Sequence, residues 1–174
     1  MRDGFAIVRK KGMIVQQNDI QIVLYEKQQH QLDIELLLET IGEEFSEPIS
    51  AGNTNKIALP ADLYLVAVCE SKVIGTISIT RLENSNAVLR KMFLHKNYRG
   101  QGIGKFLLQS IVHWCVDNNV NAIYLGTMTQ FERAQKFYEN HNFERIDAGY
   151  LPLDFPVNPV DSIFYKLELD YLKQ

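Results

Sequence analysis

Arg99-Gly100-Gln101-Gly102-Ile103-Gly104 joins an apolar run to an amphipathic stretch. The run before it, Ala87-Val88-Leu89-Arg90-Lys91-Met92-Phe93-Leu94, reads as a strand. Lys105 to Asn118 reads as a helix, with Ile103, Phe106, Leu107, Ser110, Ile111 and Trp114 on one face. Glycines at alternate positions remove the β-carbons where strand turns into helix, so backbone can approach a ligand closely. The unpaired N–H groups of the new helix and its dipole then favour an anion, and a phosphate is the natural guest. Arg90, Lys91, Lys96, Arg99 and Lys105 crowd this segment, although the chain's formal net charge is -3.

Two glycine-rich phosphate motifs fail on spacing. A P-loop needs G-x-x-x-x-G-K-[ST]; here Arg99 stands five before Gly104, and Phe106 follows Lys105. A dinucleotide fingerprint needs G-x-G-x-x-G. Its third glycine is replaced by Lys105 when counted from Gly100, and by Leu107 when counted from Gly102.

The pattern that fits is [Q/R]-x-x-G-x-[G/A], met by Arg99, Gly102 and Gly104. Some thirty residues on, Ala134-Gln135-Lys136-Phe137-Tyr138-Glu139-Asn140-His141-Asn142-Phe143 has the form A-x-x-F-Y-E-x-x-x-F. In both segments and their order, the chain resembles the GNAT superfamily of N-acetyltransferases over roughly Asp62 to Leu169. The resemblance implies an α/β (α+β) fold with a mixed, mostly antiparallel central sheet, helices on both faces and a splayed cofactor cleft. It implies acetyl-coenzyme A as co-substrate, its pyrophosphate cradled by Arg99, Gly100, Gln101, Gly102, Ile103, Gly104 and Lys105. The pantetheine arm would add like a strand to the backbone of Met92, Phe93 and Leu94.

Composition is consistent with this. A chain of 174 residues, 46% hydrophobic and 22% charged, is expected to form one domain with a full core. The expected boundaries are an uncertain N-terminal extension over 1–19 and a single acetyltransferase domain over 20–174. A pI near 5.8 and the lack of a long basic run argue against a nucleic-acid partner. No apolar run reaches ~18 residues, so a membrane partner is not expected and a cytoplasmic location is. The histidines (His30, His95, His113, His141) show no metal-ligand spacing, and no metal is expected. Cys69 and Cys115 sit among apolar residues and read as buried free thiols.

Along the chain, Phe5-Ala6-Ile7-Val8 could be a short strand, and Ile20 to Tyr25 reads as the first core strand. Lys27 to Phe45 reads as a helix with Leu32, Leu36, Leu37, Ile41 and Phe45 as its apolar set. Ser50 to Asn55 is a loop by composition. Two strands, Asp62–Glu70 and Val73–Arg81, precede the central strand in a meander. After the glycine turn and its helix come a strand at Ala122–Gly126, a helix at Gln130–His141, and strands at Phe143–Ile146 and Ser162–Leu169.

For the chemistry, Tyr138 is the candidate acid that returns a proton to the departing thiolate; the alternative is packing beside Phe137. The resemblance leaves the base open. Val88 stands where many relatives carry a glutamate, and Glu43, Glu44, Glu83 or a water chain could serve instead. Phe131 replaces an asparagine of many relatives, and Asn142 replaces a glycine, a mild change because Asn tolerates left-handed backbone. The acceptor is expected to be an amine of a small molecule or a protein, and the chain a monomer or homodimer. Tyr150, Leu151, Leu153 and Phe155 suggest a partly apolar mouth. A non-catalytic acyl-coenzyme A-binding module is the competing reading.

Overall fold

The computed structural model describes residues 13–17, 19–45 and 60–173. The strands are β1 (Met13–Gln17), β2 (Ile20–Leu24), β3 (Leu63–Cys69), β4 (Lys72–Arg81), β5 (Asn86–Leu94), β6 (Ala122–Thr127), β7 (Glu144–Ile146) and β8 (Ile163–Glu168). The helices are α1 (Lys27–Gly42), α2 (Ile103–Asp117) and α3 (Glu132–Asn140). Strand order is β1-β2-β3-β4-β5-β6-β8-β7. The chain divides into two compact units, Met1–Ala51 with Leu63–Ser78 and Lys91–Ser110, and Gly52–Asp62 with Ile79–Arg90 and Ile111–Gln174.

In the first unit β2 pairs antiparallel with β3 from Ile20↔Cys69 to Leu24↔Leu65. On its other side β2 pairs antiparallel with β1, with a bulge between Met13 and Val15. The sequence pattern did not reveal β1, because Met13–Gln17 is short and ends in two glutamines. The expected strand at Phe5–Val8 and the loop at Ser50–Asn55 lie outside the described residues. Ile34, Leu37 and Ile41 of α1 pack with Val66 and Val73, and with Tyr64 and Phe93 at the margin. Asp33 Oδ2 accepts the Val73 N–H at 3.1 Å, tying the helix to the start of β4.

The face of α1 differs from expectation. Leu32 and Leu36 are 69% and 52% exposed, while His30, Ile34, Leu37 and Ile41 are buried. The buried set recurs at i, i+4, i+7 and i+11, one continuous helical stripe. His30 can lie in that stripe because its Nδ1 accepts the Glu26 N–H at 2.9 Å.

In the second unit β5 and β6 run parallel over three pairs, Asn86↔Ala122 to Val88↔Tyr124. β5 carries on to Leu94 and β6 to Thr127 past the last parallel pair. β6 and β8 pair antiparallel along their whole length, from Ala122↔Glu168 to Thr127↔Ile163, and β7 adds to β8. Val88, Ala122, Tyr124, Phe155 and Phe164 form an apolar cluster, with Leu82, Ile146 and Leu151 against it. Phe155 and Leu151 therefore serve the core and do not line a mouth; Tyr150 and Leu153 are exposed. On α2, Leu108 and Cys115 are buried while Ser110 and Trp114 are only half-buried. Both cysteines are free, and burial pushes the Cys115 thiol up to about 12. No helix among the described residues is long and apolar enough to cross a membrane.

Candidate active site

β5 does not run straight into the glycine turn. Lys91 adopts φ 54°, a conformation that costs a non-glycine residue energy. Thr76 Oγ1 holds it there by donating to the Lys91 carbonyl at 2.6 Å, and the ammonium lies 4.7 Å from the Tyr64 ring centroid. Gly75 lets the end of β5 come close: a β-carbon there would fall 3.0 Å from Leu94 Cδ1 and 3.1 Å from the Phe93 carbonyl oxygen. Met92, Phe93 and Leu94 are half-buried.

After β5, a single 3₁₀ turn at Lys96–Tyr98 leads to Arg99 in extended backbone. Gly100 and Gly102 then have φ 74° and 84°, and a β-carbon on either would meet nothing within 4 Å. Glycine is needed for the backbone angle, and the space in front of the turn is open. Gln101 Nε2 braces the turn by donating to the Asn97 carbonyl at 2.9 Å. The first intrahelical bond of α2 runs from Phe106 N–H to the Gly102 carbonyl at 3.0 Å. The N–H groups of Ile103, Gly104 and Lys105 precede it, so they face outward from the positive end of a 15-residue helix. Backbone donors, open space and missing β-carbons fit a pyrophosphate.

Arg99 is placed differently from a simple phosphate ligand. Its Nη1 and Nη2 donate to Glu44 Oε2 and Oε1 at 2.7 and 2.9 Å, a bidentate pair, and its Nε donates to the Leu94 carbonyl at 3.0 Å. Glu44, weighed as a base, is thus committed to this ion pair. Glu43 and Glu83 are exposed, and Val88, at 2% exposure, belongs to the apolar cluster of β5 and β6. Among the described residues no group of three or more His, Cys, Asp or Glu is placed to hold a metal ion.

Tyr138 belongs to the second unit. It is 5% exposed, with the rings of Phe143 and Tyr165 at 5.4 and 5.9 Å between centroids. Burial, and then the charge of Asp161, raise its pKa well above that of a free phenol. The hydroxyl keeps its proton throughout the physiological range, which suits a donor and rules out a base. Two backbone details support the helix that carries it. Asn142, just past the end of α3, takes φ 66°, a left-handed conformation that Asn tolerates better than most residues. Gln135 Nε2 donates to the Met128 and Thr129 carbonyls, both at 3.1 Å, and fixes the approach to α3. Phe131 occupies the N-cap position without a side-chain capping bond.

The residue that sequence reasoning missed is Asp161. A β-carbon on Gly126 would fall 2.7 Å from its Oδ2, so the carboxylate lies directly against β6. Desolvation raises its pKa and Arg90 partly opposes this, leaving it at about 6. The available signal was its place, an acid at the mouth of the last strand, just past the Pro-rich segment.

The model of the acetyltransferase (GNAT) family matches residues 30–143. N-acetylaspartate synthetase of Danio rerio is 28% identical over 113 residues, which is 63% of this chain and 40% of that protein. The chain thus spans about two fifths of the length of this curated relative. A GNAT-family acetyltransferase crystal structure from Staphylococcus aureus Mu50 is 34% identical with a TM-score of 0.78, covering 86% of this chain and 99% of that one. The PaiA N-acetyltransferase of Thermoplasma acidophilum in complex with coenzyme A, at 17% identity and TM-score 0.65, covers 86% and 98% and shares the fold.

Proposed function

The chain belongs to the acetyltransferase (GNAT) family, and from that membership we propose that it moves an acetyl group from acetyl-coenzyme A to the nitrogen of a primary amine. The observation that carries this reading is the turn at Gly100 and Gly102, both at positive φ, opening onto the N-terminus of α2. When bound, acetyl-coenzyme A supplies the acetyl group as a reactive thioester. The backbone N–H groups from Gly102 to Lys105 would bind its pyrophosphate, with Arg99, Gly100 and Gln101 shaping the turn and Lys105 adding charge from its exposed first-turn position. Backbone of Met92, Phe93 and Leu94 would bond the pantetheine amides. The Leu94 N–H, or one near it, would stabilise negative charge on the acetyl oxygen. Tyr138 Oη would hold the proton that the departing sulfur takes.

The acceptor is a small-molecule or protein amine. The relative named for N-acetylaspartate makes L-aspartate the first candidate, with spermidine and an alanyl peptide to represent polyamines and protein N-termini. The competing reading, an acyl-coenzyme A-binding module without turnover, is favoured by the buried Val88 alone. Calorimetry with acetyl-coenzyme A and thiol release across these three amines test the proposal. We expect binding and thiol release with at least one amine. Binding without release would favour the module, and no binding at millimolar cofactor would sink both readings.

A further inference from the structure

Asp161 lies outside the glycine turn and the α3 motif, and three elements of the second unit meet around it. β6 contributes Gly126, the one residue of that strand without a side chain. A β-carbon there would lie 2.7 Å from Oδ2 and 3.1 Å from Cγ, so the carboxylate occupies volume that any other residue would fill. β5 contributes Arg90 and α3 contributes Tyr138, each with its ionisation coupled to the Asp161 charge. The backbone around the carboxylate is pinned. Asp161 N–H donates to the Asn158 carbonyl at 3.0 Å, and Ser162 N–H donates to the Thr127 carbonyl at 3.0 Å.

Resting on the reading of the chain as an N-acetyltransferase, we propose that Asp161 is its catalytic base: the carboxylate receives the acceptor as an ammonium and takes its proton. An amine of ordinary basicity arrives protonated at neutral pH and cannot attack until it loses that proton. A fixed carboxylate both attracts the cation and accepts the proton. Two opposed effects set its strength. Desolvation favours the neutral acid and Arg90 favours the anion, and the balance at about 6 leaves it ionised at pH 7.5 yet more basic than an ordinary aspartate. Arg90 from β5 and Tyr138 from α3 are the titratable groups that face it among the described residues, and Gly126 of β6 presents none.

The protons balance. One proton passes from the ammonium to Asp161 and on to solvent. The nitrogen then forms its bond to the acetyl carbon as the carbon–sulfur bond breaks. Sulfur takes the Tyr138 proton, and the nitrogen's surplus proton replaces it on Oη. The acceptor becomes an amide, coenzyme A leaves as the thiol, and one proton is released per turnover.

Asp161→Asn keeps shape and removes the base, so it separates chemistry from packing. We measure kcat/KM against pH for L-aspartate, spermidine and the alanyl peptide, with acetyl-coenzyme A affinity by calorimetry as the folding control. The expected loss in kcat/KM at pH 7.5 is ~10²–10⁴-fold with cofactor affinity unchanged. The wild-type acid limb near 6 should vanish. The variant's rate should climb only as the acceptor loses its own proton, at about 10 for an alkylamine. Arg90→Gln supplies a second readout: with the guanidinium gone, the acid limb should move to higher pH, which a structural aspartate would not produce. An Asp161→Asn enzyme with wild-type kcat/KM and an intact acid limb overturns the role and leaves the acetyltransferase reading standing. A wild type that binds cofactor but acetylates none of the three amines overturns both.

Discussion

Gly102 has φ 84° with open space in front of it, so what a substitution there disturbs is the turn and not the packing. Gly102→Val should abolish acetyl-coenzyme A binding in calorimetry while the circular dichroism spectrum stays that of the wild type. A β-branched residue resists positive φ, and its side chain would fill the space a pyrophosphate must enter. Normal binding by that variant would reduce the motif to a connection. Tyr138→Phe asks the complementary question in the second unit. It keeps the ring that packs on Phe143 and Tyr165 and removes only the hydroxyl. If the hydroxyl protonates the thiolate, single-turnover transfer from preloaded enzyme should slow ~10²–10⁴-fold with cofactor affinity little changed. An unchanged single-turnover rate would leave that step to water. These two residues were legible because each belongs to a local string whose spacing carries the chemistry. Asp161 was not, because its setting is assembled from Arg90, Gly126 and Tyr138, positions no window of sequence contains.

Elements differ in how plainly the chain announces them. β3, β4 and β5 are long, largely apolar and bounded by turns with positive φ at Glu70, Ser71, Asn84 and Ser85, so pattern and structure coincide. α1 is harder because leucines surround it, and counting apolar residues cannot tell which side meets the sheet. The stripe through Ile34, Leu37 and Ile41 wins because it alone faces Val66 and Val73, while Leu32 and Leu36 remain in solvent. Leu37→Ala should therefore cost ~2–5 kcal/mol in urea unfolding, through lost transfer energy and the cavity left behind. Leu32→Ala should stay within ~0.5 kcal/mol. Equal costs would show that α1 packs through the other face. The Pro-rich stretch before β8 hides its role for a related reason. Phe155 and Leu151 look like mouth residues in a polar loop, yet they complete the cluster of Val88, Tyr124 and Phe164. Only the pairing of β6 with β8 brings Phe164 to Tyr124's strand and makes that place available.

For the molecule as a whole, the carboxyl that serves catalysis should weaken the fold, and pH should reveal it. In the unfolded chain Asp161 titrates near ~3.9, whereas in the folded chain it titrates at about 6. Between those values the folded state binds more protons than the unfolded state, so stability falls as pH rises, and the loss is complete above pH 6. A second fall belongs to alkaline solution, because burial also raises Tyr64, Tyr165 and the Cys115 thiol to about 12 each. Each of these favours the folded state's bound proton and penalises folding as pH climbs past its unfolded value, from ~9 upward. The native state should then show a plateau between roughly pH 6 and 8.5, set below its acid-side maximum by the cost of keeping Asp161 charged. Asp161→Asn removes that cost. Its melting temperature should match the wild type below about pH 3.5 and exceed it at pH 7.5, the gap opening between ~4 and ~6 as the wild-type carboxyl ionises. A gap that is constant with pH, or a variant less stable than the wild type at pH 7.5, would mean that the carboxylate is held by favourable contacts. In that case its basicity would not come from burial against Gly126.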